Sequence, residues 1–91
     1  MKNLEKNMIF VAAVADIFNR NYGTISEEAA IYAACDQLKG NPDLAGHKFT
    51  REDVTYVAMK LSRIFGFEGY DDFDEMVFYN DNLNAVLSHA F

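Results

Sequence analysis

The side chains in this chain that could do chemistry are few: one cysteine, Cys35, two histidines, His47 and His89, and fourteen Asp and Glu. A zinc site draws on a patterned set of Cys and His ligands, and these three stand at unrelated spacings, so no metal is expected. The run "NDNLN" at 80–84 has the opening of a calcium loop. Its sixth position is Ala85 where a glycine is needed, however, and its twelfth is Phe91 where a bidentate Glu belongs. Cys35 shares a helical face with Ile31 and Leu38, which makes it a small buried hydrophobe, not a nucleophile. His47 sits in a loop segment without a patterned partner and reads as solvated. His89 lies near a helix end that favours positive charge. The five glycines, at 23, 40, 46, 66 and 69, fall at predicted helix ends and turns, and form no phosphate-cradling pattern. The expectation is a protein that is not an enzyme and uses no cofactor.

The acids are distributed unevenly. All eight Lys and Arg lie within residues 1–63, where eight acids balance them. Residues 64–91 hold the whole net charge of −6, in Glu68, Asp71, Asp72, Asp74, Glu75 and Asp81, with no basic residue among them. Within "GFEGYDDFDEMVFYND", residues 66–81, the acids alternate with Phe67, Tyr70, Phe73, Phe78 and Tyr79. Helix capping explains part of this, because Asp71 or Asp72 can cap, Asp72 and Glu75 have capping-box spacing, and acids favour a helix start. Capping does not explain the lack of compensating Lys or Arg. A docking surface does: aromatic rings hold a partner and carboxylates steer it. An exposed ion pair is worth about 0.2–1 kcal/mol, whereas truncating a buried aromatic anchor costs about 2 kcal/mol or more. The expected partner-binding set is Phe67, Glu68, Tyr70, Asp71, Asp72, Phe73, Asp74, Glu75, Tyr79 and Asp81. The expected partner is a protein with a basic surface, such as a nucleic-acid-binding complex. Direct nucleic-acid binding is not expected, because it relies on clustered Lys and Arg.

In its size, its acidity and its lack of a catalytic motif, the chain resembles the small inhibitors of bacterial defence encoded by phages and mobile elements, anti-CRISPR proteins among them. Those proteins share no common signature, so the resemblance covers general character and carries no residue across. It implies a non-enzymatic inhibitor or regulator that occludes the basic surface of a nucleic-acid-handling protein.

The elements that must position these residues are helices. Leu4, Met8, Val11, Ala15, Phe18 and Tyr22 recur at steps of three and four, which lays them along one stripe of a first helix. Phe10, Val14 and Ile17 form an adjoining stripe, so the apolar face is broad, and Gly23 ends it. "TISEEAAIYAACDQLKG" begins a second helix with either Thr24, three residues before Glu27, or Ser26 as its cap, and Gly40 closes it. "NPDLAGHK" at 41–48 reads as a loop, since Pro42 disfavours helical geometry in Asn41. "TRED" at 50–53 caps a third helix over 51–65, with Val54, Val57, Ala58, Leu61, Ile64 and Phe65 buried and Gly66 as its stop. A short fourth helix follows from Asp72 and a final one from Asp81. The predicted architecture is one all-α domain spanning 1–91, a compact bundle of four to five short helices.

Apolar residues make up 51% of the chain, the composition of a folded protein. Its longest apolar run, "MIFVAAVA" at 8–15, is far shorter than the roughly 20 residues of a membrane-spanning helix. A lone cysteine and no secretory pattern at the start predict a cytoplasmic setting without membrane contact. Two alternative functions remain. One is a homodimeric structural or regulatory protein that shares the broad face of the first helix. The other is a DNA-binding regulator using Lys39, Lys48, Arg51, Lys60 and Arg63, although the Gly40–Phe49 link is much longer than the turn of about 3 to 4 residues in a helix-turn-helix.

Overall fold

The computed structural model describes residues 3–66, which form three helices and no strand: α1 (Asn3–Arg20), α2 (Glu27–Leu38) and α3 (Arg51–Phe65). The all-α class holds for these residues. The fourth and fifth helices expected from Asp72 and Asp81 lie outside the described residues.

Helix α1 is central, and both α2 and α3 pack against it. Its two apolar stripes are buried in the opposite order to their regularity. On the longer stripe, Val11 is buried, but Leu4, Met8 and Tyr22 are 57%, 42% and 78% exposed. On the shorter one, Phe10 and Val14 are fully buried and Ile17 packs against the core. Spacing shows which apolar residues line up with one another, while burial depends on where the neighbouring helices lie. Asp16, Asn19 and Arg20 face solvent as expected.

Ser26 is the N-cap of α2, its hydroxyl accepting the Ala29 N–H at 3.1 Å. Glu27 and Glu28 occupy the first turn, where the helix dipole favours anions. Thr24, the other candidate, donates its hydroxyl to the Asn21 carbonyl at 2.8 Å and so braces the preceding turn. Ala30 and Ala34 are fully buried. Side chains this short let α2 approach the core closely, beside buried Ile31, Cys35 and Leu38.

Between α2 and α3 the chain runs through successive turns. The N–H groups of Asn41, Leu44 and His47 donate to the carbonyls of Leu38, Asn41 and Leu44. The Asn41 side chain accepts the Asp43 N–H at 2.8 Å, a local bond by which asparagine stabilises turns. This stepping swings Leu44, fully buried, and His47, only 7% exposed, into the interior. The connection is a loop, as expected, but His47 is not solvated within it. That expectation is corrected, and the reason is tertiary, because the turns carry the ring inward against Asn7 of α1 and Phe49.

Helix α3 begins at a capping box. The Thr50 hydroxyl accepts the Asp53 N–H, and the Asp53 carboxylate accepts the Thr50 N–H, so two otherwise unpaired donors are satisfied reciprocally. Val54, Val57, Ala58 and Leu61 are buried on its inner face, with Ile64 and Phe65 packed at the core's edge. The Phe65 ring meets Phe18 of α1 edge-on at 4.9 Å, an arrangement that the ring quadrupoles favour. Gly66 ends the helix at φ +87°, a left-handed conformation that other residues adopt at a cost.

Candidate functional site

Phe67, Glu68, Tyr70, Asp71, Asp72, Phe73, Asp74, Glu75, Tyr79 and Asp81 lie outside the described residues, as does His89. The described residues bring together two other features, both on the seam where α1 meets α3. One is a buried group of polar side chains and the other an exposed group of apolar ones.

The polar group is built around Asp53, which is 7% exposed. Its Oδ1 accepts the Asn7 side-chain amide at 2.8 Å, and its Oδ2 accepts both the Thr50 N–H and the Thr50 hydroxyl at 2.9 Å. Burial alone would raise the Asp53 pKa. The hydrogen bonds from Asn7 and Thr50, with His47 adding attraction, outweigh it and hold the carboxyl below its ordinary 3.8. Because Asn7 uses its amide N–H on Asp53, its Oδ1 faces the other way, 3.5 Å from Nε2 of His47. The His47 ring also lies edge-on to Phe49 at 4.5 Å, and Phe49 to Phe10 at 6.0 Å. Asn7 is 2% exposed, so three polar side chains from α1, the loop and α3 share one interior position.

This arrangement ties α1, the loop and α3 together through polar contacts. Asn7 stands between His47 and Asp53, so the carboxylate does not orient the imidazole directly as a base-orienting acid would. Ser62 and Cys35 also lie in the interior. Ser62 donates its hydroxyl to the Ala58 carbonyl at 2.8 Å. Cys35 is buried on α2, where loss of solvent and then Asp36 push its thiol up to about 11 despite the opposing Lys39, which leaves little reactive thiolate. Among the described residues no three His, Cys, Asp or Glu side chains come together as a metal-binding group.

The apolar group lies on the outer side of the same seam. Leu4 and Met8, one turn apart on α1, and Met59 on α3 are all exposed. Tyr56 joins the two helices, its hydroxyl donating to the Met8 sulfur at 3.2 Å; a thioether is a weak acceptor. The Lys60 ammonium lies 5.5 Å from the Tyr56 ring centre, close enough for cation–π attraction. An open groove of about 530 Å³ runs along this face of α3, lined by Arg51, Glu52, Thr55, Tyr56 and Met59. Among the described residues the one ion pair is Arg20–Asp16, 3.1 Å, with both side chains largely in solvent. Lys39, Lys48, Arg51 and Arg63 are exposed and make no ion pair with a described residue.

Comparison with known protein families, with curated proteins and with solved structures finds nothing that matches this chain. None of the described helices is long and apolar enough to cross a membrane.

Sequence reasoning missed Asn7 and misjudged His47. Asn7 interrupts the apolar stripes of α1 between Lys6 and Met8, and a neutral amide on the flank of a buried face was the available signal. Asp53 was visible as a capping acid. Its second bond, to a residue 46 positions away, was not.

Proposed function

We propose that this chain is a non-enzymatic helical binding protein that inhibits or regulates a nucleic-acid-handling protein by covering its basic surface. The residues proposed to make the contact are Phe67, Glu68, Tyr70, Asp71, Asp72, Phe73, Asp74, Glu75, Tyr79 and Asp81. The observation that supports this reading is the partition of charge. Residues 1–63 are neutral in sum, and residues 64–91 carry six acids with no base. Complementary charge of this kind raises association rate and fixes orientation more than it raises affinity. The aromatic side chains among the acids supply the hold, since tyrosine and phenylalanine are favoured at interface cores. The phage-inhibitor resemblance fits the same role.

The test begins by capturing partners from bacterial lysate on the immobilised protein. The association rate of a captured protein is then measured at low and moderate salt, for wild type and for a variant with Asp71, Asp72 and Asp74 changed to Asn and Glu75 to Gln. A slower, less salt-sensitive association in the variant is expected. An unchanged rate without salt dependence removes the steering role.

A second reading is favoured by exposed Leu4, Met8 and Met59 beside half-buried Tyr56, which would suit a homodimer formed along the α1–α3 seam. It differs from a dimer built on the whole broad face of α1, because Phe10, Val11 and Val14 are already buried within the chain. Light scattering over a range of concentrations decides it, and a monomer throughout ends this reading.

A further inference from the structure

We infer that the connection between α2 and α3, residues 39–50, is an acid-releasable strap: a proton on Nδ1 of His47 unseats the ring and frees the loop from α1 and α3. Hydrogen-bond directions favour one tautomer of the neutral ring. Asp53 can only accept from Asn7, so the Asn7 amide nitrogen points to Asp53 and its oxygen to His47. An acceptor opposite Nε2 favours the tautomer whose proton resides there. Nδ1 is then the nitrogen that gains a proton in acid. No described residue accepts a hydrogen bond from it, and the ring is 7% exposed. Protonation would therefore create a buried N–H on a charged ring with no acceptor among the described residues, which protein interiors tolerate poorly.

The charged groups around the ring among the described residues give no acceptor for that N–H. From α3, Asp53 attracts an imidazolium, but both its oxygens are already occupied by Asn7 and Thr50. From α1, Lys6 repels it. Phe49 presents its ring to the imidazole from within the loop. Burial is the largest influence, followed by the opposing pull of Asp53 and then Lys6, and the balance places the folded His47 below its ordinary 6.5. The unfolded chain takes up a proton near 6.5 while the folded chain does not, so stability is full above that pH and declines as pH falls from 6.5 through the folded value. Asp53 acts lower, since its contribution is present above 3.8 and declines only as pH falls through its depressed folded value.

The strap's other anchors among the described residues include Leu44 and Phe49, which do not titrate, and Thr50, whose partner Asp53 is protonated only below its ordinary 3.8, so acid should loosen the loop before it melts the helices. The experiment is an NMR titration of the full chain, with His89→Gln used to assign the two imidazoles, combined with amide hydrogen exchange at pH 7.5 and 5.5. His47 is expected to titrate below 6.5 with its neutral form protonated on Nε2. Protection of amides within residues 41–49 is expected to drop several-fold more than protection of Val57–Leu61, after correction for intrinsic rates. A His47 that titrates at or above 6.5, or that carries its neutral proton on Nδ1, overturns the proposal. Equal loss of protection in loop and helix does so too. His47→Gln should remove the excess loss in the loop, and persistence of that loss in the variant counts against the strap. Should that variant fail to fold, the wild-type titration still decides.

Discussion

Two neighbouring regions of the α1–α3 seam reverse the usual distribution of polarity in opposite directions. Inside it, Asn7, His47 and Asp53 are polar and buried. Outside it, Leu4, Met8 and Met59 are apolar and exposed. The reversals are adjacent in the chain, since Asn7 directly precedes Met8, and Asp53 comes one helical turn before Tyr56. The inner region matches its polar atoms closely, with both Asp53 oxygens and both ends of the Asn7 amide in use. The outer region is linked across the helices by the Tyr56–Met8 contact, with an open groove beside it on α3. Buried polar groups that are satisfied specify one arrangement of elements. Exposed apolar groups that leave a groove open remain available to something outside the chain.

The contrast breaks most visibly at Asp53. Replacing it with alanine removes the capping box of α3 and strands the Asn7 amide and the Thr50 N–H. Capping loss of about 1 kcal/mol plus unpaired buried donors gives an expected loss of about 2–4 kcal/mol in chemical unfolding. A loss no larger than that of an ordinary cap would mean that the Asn7 bond adds nothing. Asn7→Leu asks the narrower question. It fills the site with apolar volume but leaves Asp53 and His47 each short of a partner, and a loss of about 1–3 kcal/mol is expected by the same measurement. A neutral result would show that the α1 contribution is packing alone. The smallest effect belongs to the outer region. Met59→Ser should change stability by no more than about 0.5 kcal/mol, as for surface sites without special roles. A larger loss in its unfolding curve would show that the strip is held by the chain itself and is not available to a partner.

Much of the described fold was legible in the sequence. Helix α3 occupies the expected 51–65, because a hydroxyl cap, first-turn acids and a terminal glycine are all local signals. Helix α2 has two possible starts in the sequence, and local hydrogen bonding chose Ser26. For α1 the helix itself is evident from spacing, but its more regular stripe proves exposed at both ends. The candidate partner-binding residues at 67–81 rest on charge and ring content alone, which bear on chemistry and not on position. His47 shows the opposite limit: its burial depends on turns that act together with two helices, one of them far away in sequence.

By itself the sequence determined the helical period, the caps and glycine stops, and the concentration of negative charge in the last third, because each is a property of neighbouring residues. Only the tertiary structure decided which stripe of α1 would be covered, that His47 would lie inside, and that Asn7 would join it to Asp53. The link runs between residues 40 and 46 positions apart along the chain. Such distances are set when helices pack and hydrogen-bond directions must agree across them, and no local spacing encodes them.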